Sequence, residues 1–94
     1  MENNKYLTAK QSHQIAREKI EIYNKQCEIN AELYLPTVMD LIEKAANEKH
    51  FNYTIVTRDI DYESTGYLSQ KLLALGYVVD YRPINVTVSI SISW

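Results

Sequence analysis

The last nine residues, Val86-Thr87-Val88-Ser89-Ile90-Ser91-Ile92-Ser93-Trp94, alternate apolar and small polar side chains without a break. Successive side chains of a β-strand point to opposite faces. The segment therefore sets Val86, Val88, Ile90, Ile92 and Trp94 on one face and Thr87, Ser89, Ser91 and Ser93 on the other. It carries no charged side chain, proline or glycine. An uncharged strand left at a sheet edge templates aggregation, so the fold has to pair it on both sides or cover it. The pattern predicts the central strand of a sheet, with its apolar face under helices.

Upstream, Thr8 followed by Gln11 forms a capping-box pattern that starts a helix at Ala9. Ala16, Ile20, Tyr23 and Cys27 recur at spacings of four, three and four, which is one helical face. Ile15, Ile22 and Ile29 form a second line, seven residues apart and rotated by roughly 120° from the first. One stripe docks a helix on its own core. Two stripes predict that this helix touches its own domain and a neighbour, with Ile15, Ile22 and Ile29 as the partner or oligomer face. Pro36 then removes a helical hydrogen bond and crowds the preceding turn, so the helix breaks or kinks near Leu35, unless the proline opens a new helix. Val38, Leu41, Ile42, Ala45 and Ala46 give the following segment a buried face that ends near Lys49.

Phe51, Tyr53 and Ile55 alternate with Asn52, Thr54 and Val56 as a first strand. Acidic residues precede a third helix whose buried face is Leu68, Leu72 and Leu75, with Gly76 at the position of a left-handed cap. Residues 77–82 form a second strand, and Pro83-Ile84-Asn85 connects it to the alternating tail as a hairpin. The expected fold is α+β in one domain, residues 1–94, in the order α-α-β-α-β-β: a helical arm (residues 1–35) holds the first helix, and a compact αβαββ region (residues 36–94) holds the rest, the first two helices being either separate or one kinked rod. The sheet is expected to be three-stranded and mixed, with helices on one face and the tail between the other two strands.

Composition narrows the function classes. A net charge of −2, with lysine and arginine scattered along the chain, lacks the basic footprint of a nucleic-acid binder. No apolar run reaches the ~20 residues of a membrane helix. A single cysteine, Cys27, excludes an internal disulfide and fits a reducing compartment. Asp59, Asp61 and Glu63 resemble the start of a calcium loop, but Ser64 and Gln70 stand where that loop needs glycine and glutamate. They read instead as acidic residues at a helix N-terminus. His13 and His50 have no second ligand at helical spacing, and Cys27 reads as a small core residue. No phosphate-binding glycine loop, nucleophile elbow or zinc-protease helix occurs. The expectation is a non-enzyme without catalytic residues, metal or cofactor.

Tyrosine is over-represented: eight, against one phenylalanine and one tryptophan. Its apolar body and polar tip suit half-buried packing and also recognition. Tyr53, Tyr62, Tyr67 and Tyr81, together with Ser89 and Ser91, form a candidate ligand or partner surface, on which nucleotide bases could stack.

The segments Leu75-Gly76-Tyr77-Val78-Val79 and Ile92-Ser93-Trp94, behind the helix Leu41-Ile42-Glu43-Lys44-Ala45-Ala46, resemble a pattern in small proteins of tailed bacteriophages. There a helix ends in small residues and a short strand follows. A second helix then runs into Leu-Gly-Tyr-x-Val, and a hairpin closes on Ile-Ser-Trp. The resemblance implies a phage origin and a location in the virion or the host cytoplasm. With the two-faced first helix, it leads to a non-enzymatic virion or assembly accessory component. Such a protein would self-associate, or dock on a larger phage or host protein. The alternative is a host-takeover or anti-defence protein that binds a host protein or sequesters a nucleotide signal.

Overall fold

The computed structural model describes residues 6–94. The elements run α1 (Ala9–Asn47), β1 (Asn52–Thr57), α2 (Tyr62–Ala74), β2 (Val78–Ile84) and β3 (Thr87–Ser93). The α+β class is as expected, and no helix of the described residues is long and apolar enough to cross a membrane.

The first two expected helices are one helix of 39 residues that passes through Pro36. The Thr8 hydroxyl accepts from the Gln11 amide and the Gln11 side chain accepts from the Thr8 amide, so the capping box forms. Pro36 is tolerated for two reasons. It lies on the solvent side of α1, where helical hydrogen bonds are already the longest. Buried residues also flank it, with Cys27 and Ala31 before and Val38, Ile42 and Ala45 after, so packing holds both halves in line.

The sheet has the order β1-β3-β2, with the uncharged tail in the middle. It is antiparallel throughout, not mixed. The crossover through α2 leaves β1 and β2 parallel to each other, and β3 inserts between them running the opposite way, so both neighbouring pairs are antiparallel. The hairpin turn is Asn85-Val86 and not Pro83-Ile84-Asn85, because Ile84 still pairs with Thr87. Asn85 takes the left-handed φ of 56°, which asparagine tolerates better than most residues. Val86 is consequently an exposed turn residue outside the strand. Pro83 sits in β2, an edge strand, where proline is admissible.

Val88, Ile90 and Ile92 of β3 are buried, and their partners on β1 are Thr57, Ile55 and Tyr53. Ile42 and Val38 of α1 and Leu68 and Leu72 of α2 complete this core from one side of the sheet. Where α1 and α2 meet, buried side chains are small: Cys27 and Ala31 on one helix, Ser64, Thr65 and Ser69 on the other. The interface is narrow by composition, since the distance between helix axes follows the size of the contacting residues.

Both helices end in the same motif. Gly76, at φ 97°, donates to the Leu73 carbonyl while Tyr77 donates to that of Leu72. Lys49, at φ 68°, donates to the Ala46 carbonyl while His50 donates to that of Ala45. These paired bonds satisfy the last helical carbonyls and require a left-handed residue between them.

Candidate functional site

The molecule measures 73 × 27 × 18 Å, and the long dimension belongs to α1. From Cys27 onward one face of this helix is covered by the body. Every residue from 9 to 26 is exposed, a projection of about 27 Å at 1.5 Å rise per residue. The expected line Ala16, Ile20, Tyr23 and Cys27 is therefore docked only at Cys27. The periodicity is correct, and the seam that packs as Cys27, Ala31 and Val38 continues outward as Tyr23, Ile20 and Ala16. The body ends before it can cover them.

Ile15, Ile22 and Ile29 lie on the back of α1, about 160° around the helix from the buried face. Exposures of 43%, 63% and 41% show that none is a core residue. Leu33, absent from the sequence-based line, extends it and is 73% exposed. The spacing from Ile29 to Leu33 is an ordinary helical i, i+4 step and could have added it. The projecting helix thus carries two uncovered apolar lines.

Tyr23 is the last residue of the uncovered seam before Cys27. Its phenol is pushed up to about 12, first by hydrogen bonding to the Cys27 side chain, then by desolvation and by negative charge at Cys27, Glu63 and Asp61. The side chain stays neutral at any physiological pH, as an apolar seam requires.

The structure does not bring the proposed tyrosine and serine surface together. Tyr53 and Tyr81 pair with Ile92 and Ile90 on the helix-covered side of the sheet, where they pack on the core with Tyr67. Tyr62 is more exposed and lies tilted against Tyr81, with ring centroids 5.2 Å apart and planes 48° from parallel. Gly66 makes room for this pair: a Cβ there would stand 3.1 Å from the Tyr81 hydroxyl oxygen. Ser89 and Ser91 lie on the opposite, open face, where the Ser91 and Thr54 hydroxyls are 3.2 Å apart. Strand parity separates the two sets, since Tyr81 alternates with Asp80 and Arg82, which pair with Ser91 and Ser89. That open face also holds the exposed Val56, Val78 and Ile84 and the Arg82–Asp80 ion pair at 3.2 Å.

Among the described residues no group of three or more His, Cys, Asp or Glu side chains is arranged to hold a metal ion. Asp61 is the N-cap of α2, its carboxylate accepting from the Ser64 amide at 2.7 Å. Comparison with protein-family models, curated proteins and solved structures finds no match.

Proposed function

We propose that this chain is a non-enzymatic docking protein that works by self-association or by attachment to a larger protein, with the projecting part of α1 as its contact. One observation carries the reading: Ile15, Ile22 and Ile29 stand exposed in register on a helix that reaches far beyond the body it belongs to. Full burial of such a side chain against a neighbour is worth about 1.5–3 kcal/mol. A phage virion or assembly accessory role is the setting suggested by the Leu75-Gly76-Tyr77-Val78-Val79 and Ile92-Ser93-Trp94 segments. The nucleotide-binding alternative gains nothing from the arrangement of Tyr53 and Tyr81, whose rings are used in packing.

The test replaces Ile15, Ile22 and Ile29 together with serine. The variant keeps the circular dichroism and melting behaviour of the body, and its mean mass by light scattering falls below that of the natural chain at equal concentration. An unchanged mass defeats the role given to this line. Unfolding of the variant would make the isoleucines core residues.

A further inference from the structure

The second apolar line of the projection is the continuation of the docked seam: Ala9, His13, Ala16, Ile20 and Tyr23 follow the 3–4 spacing that leads into Cys27. Two apolar or small residues per seven is the repeat that seats one helix against another. Beside this seam runs a line of charge, Lys10, Arg17, Glu21 and Glu28, within about 40° of one another around the helix at 3.6 residues per turn. The spacings are seven, four and seven. Two cations come first and two anions follow, placed symmetrically about position 19. Among the described residues none of the four forms an ion pair within the molecule. A shallow depression lined by Lys10, His13, Gln14, Arg17, Glu18 and Glu21 lies along this line of charge.

We infer that this seam binds a second copy of the chain, with the two projections running antiparallel. The inference rests on the reading of α1 as the associating element and names its first partner. A symmetric line of two cations and two anions matches itself only when one copy is reversed. Lys10 then meets Glu28 of the other copy, and Arg17 meets Glu21. Antiparallel helices also bring like flanks together, so the charged flank faces its own kind. A parallel pair would set it against the other flank, Ser12, Lys19 and Gln26, and bring Arg17 toward Lys19.

The apolar seam agrees with this register. Centred on Glu18, it sets Ala16 opposite Ile20 and His13 opposite Tyr23, a small residue against a larger one in each case. Helical side chains lean toward their own N-terminus. In reversed copies that lean moves Lys10 and Glu28 toward each other, closing the one-residue offset between the charge centre and the seam centre. The overlap spans residues 9–27, so each tip ends level with Cys27 of the other copy, where the covered part of α1 begins.

The experiment uses the full chain with Ile15, Ile22 and Ile29 replaced by serine, which leaves the seam as the associating surface. Light scattering at 10 to 200 µM is expected to give twice the 11.0 kDa chain mass at the upper end. Adding K10E and R17E, or adding E21K and E28K, turns the line to one sign and gives monomer. Mixing those two proteins in equal amounts restores the doubled mass, as does combining all four substitutions in one chain. An S12C variant, whose copies are held apart by reversal, does not cross-link to itself under oxidation, whereas a K19C variant, on the same flank but one residue from the centre, does. The proposal is overturned if the serine background is a monomer throughout, if either charge variant stays dimeric alone, or if S12C cross-links as readily as K19C. A monomeric serine background beside an associating natural chain would sink the seam and leave the isoleucine line in place. An equal mass for both would do the reverse.

Discussion

The two helix ends make a controlled experiment within one chain. Both place one residue in the left-handed region, Gly76 at φ 97° and Lys49 at φ 68°, and both close the same pair of hydrogen bonds. For a residue with a Cβ that conformation costs roughly 1–2 kcal/mol, and glycine escapes most of it. Glycine also has more freedom to lose on folding, which returns about 0.5 to 1 kcal/mol. Lys49→Gly should therefore be more stable than Lys49→Ala by about 1 kcal/mol, the comparison with alanine removing the effect of charge near the helix C-terminus. At this chain length that is a difference of about 4–8 °C in Tm. Gly76→Ala should lose a similar amount for a purely conformational reason, since no atom lies within 4 Å of the added Cβ. Thermal melts followed by the fluorescence of Trp94, which packs edge-on against Tyr77 at 6.2 Å, report the body directly. If Lys49→Gly is no more stable than Lys49→Ala while Gly76→Ala is neutral, the left-handed caps do not carry the energetic weight assigned to them.

Two further expectations concern the narrow contact between α1 and α2. The Ser64 hydroxyl is fully buried with no hydrogen-bonding partner among the described residues, so Ser64→Ala should raise stability by about 1 kcal/mol in urea denaturation. A fall in the midpoint would mean that the hydroxyl is satisfied. Ala31 is wholly buried against α2, and Ala31→Leu should cost about 1–3 kcal/mol by overpacking. Wild-type stability in that variant would show that the helices can separate freely.

What the sequence disclosed, and what it withheld, follows from which interactions are local. The alternation of residues 86–94 already placed Val88, Ile90 and Ile92 under the helices, because side-chain parity is a property of the strand itself. Gly76 was equally legible, since a glycine just past a leucine-rich helical face has few other uses. The central place of β3 was legible too, and the antiparallel sense follows from it: a crossover through α2 makes β1 and β2 parallel, and a hairpin reverses β3 against both, so the expectation of a mixed sheet does not fit its own topology. Pro36 left the choice between one helix and two open because its effect is local, whereas the burial of Ala31 on one side and Val38 on the other holds α1 together. Ala16, Ile20 and Tyr23 were read correctly as one face with Cys27, yet periodicity cannot say where the body underneath stops. The tyrosines and serines were grouped by chemistry, when the parity of Tyr53 with Ile55 and of Tyr81 with Val79 already separates them from Ser89 and Ser91.

The length of α1 beyond the body has a thermodynamic consequence. An isolated helix of this size is marginal in water, because propagation barely repays the nucleation of the first turn. The projection receives one end already nucleated, at Cys27, but no tertiary burial along its own length. Its amides should open in hydrogen exchange independently of the body, fraying from Ala9 inward, while those of β3 wait for global unfolding. Association would then be written into helicity itself: each copy that binds supplies the burial that the projection lacks, and order in this segment becomes a concentration gauge for the protein.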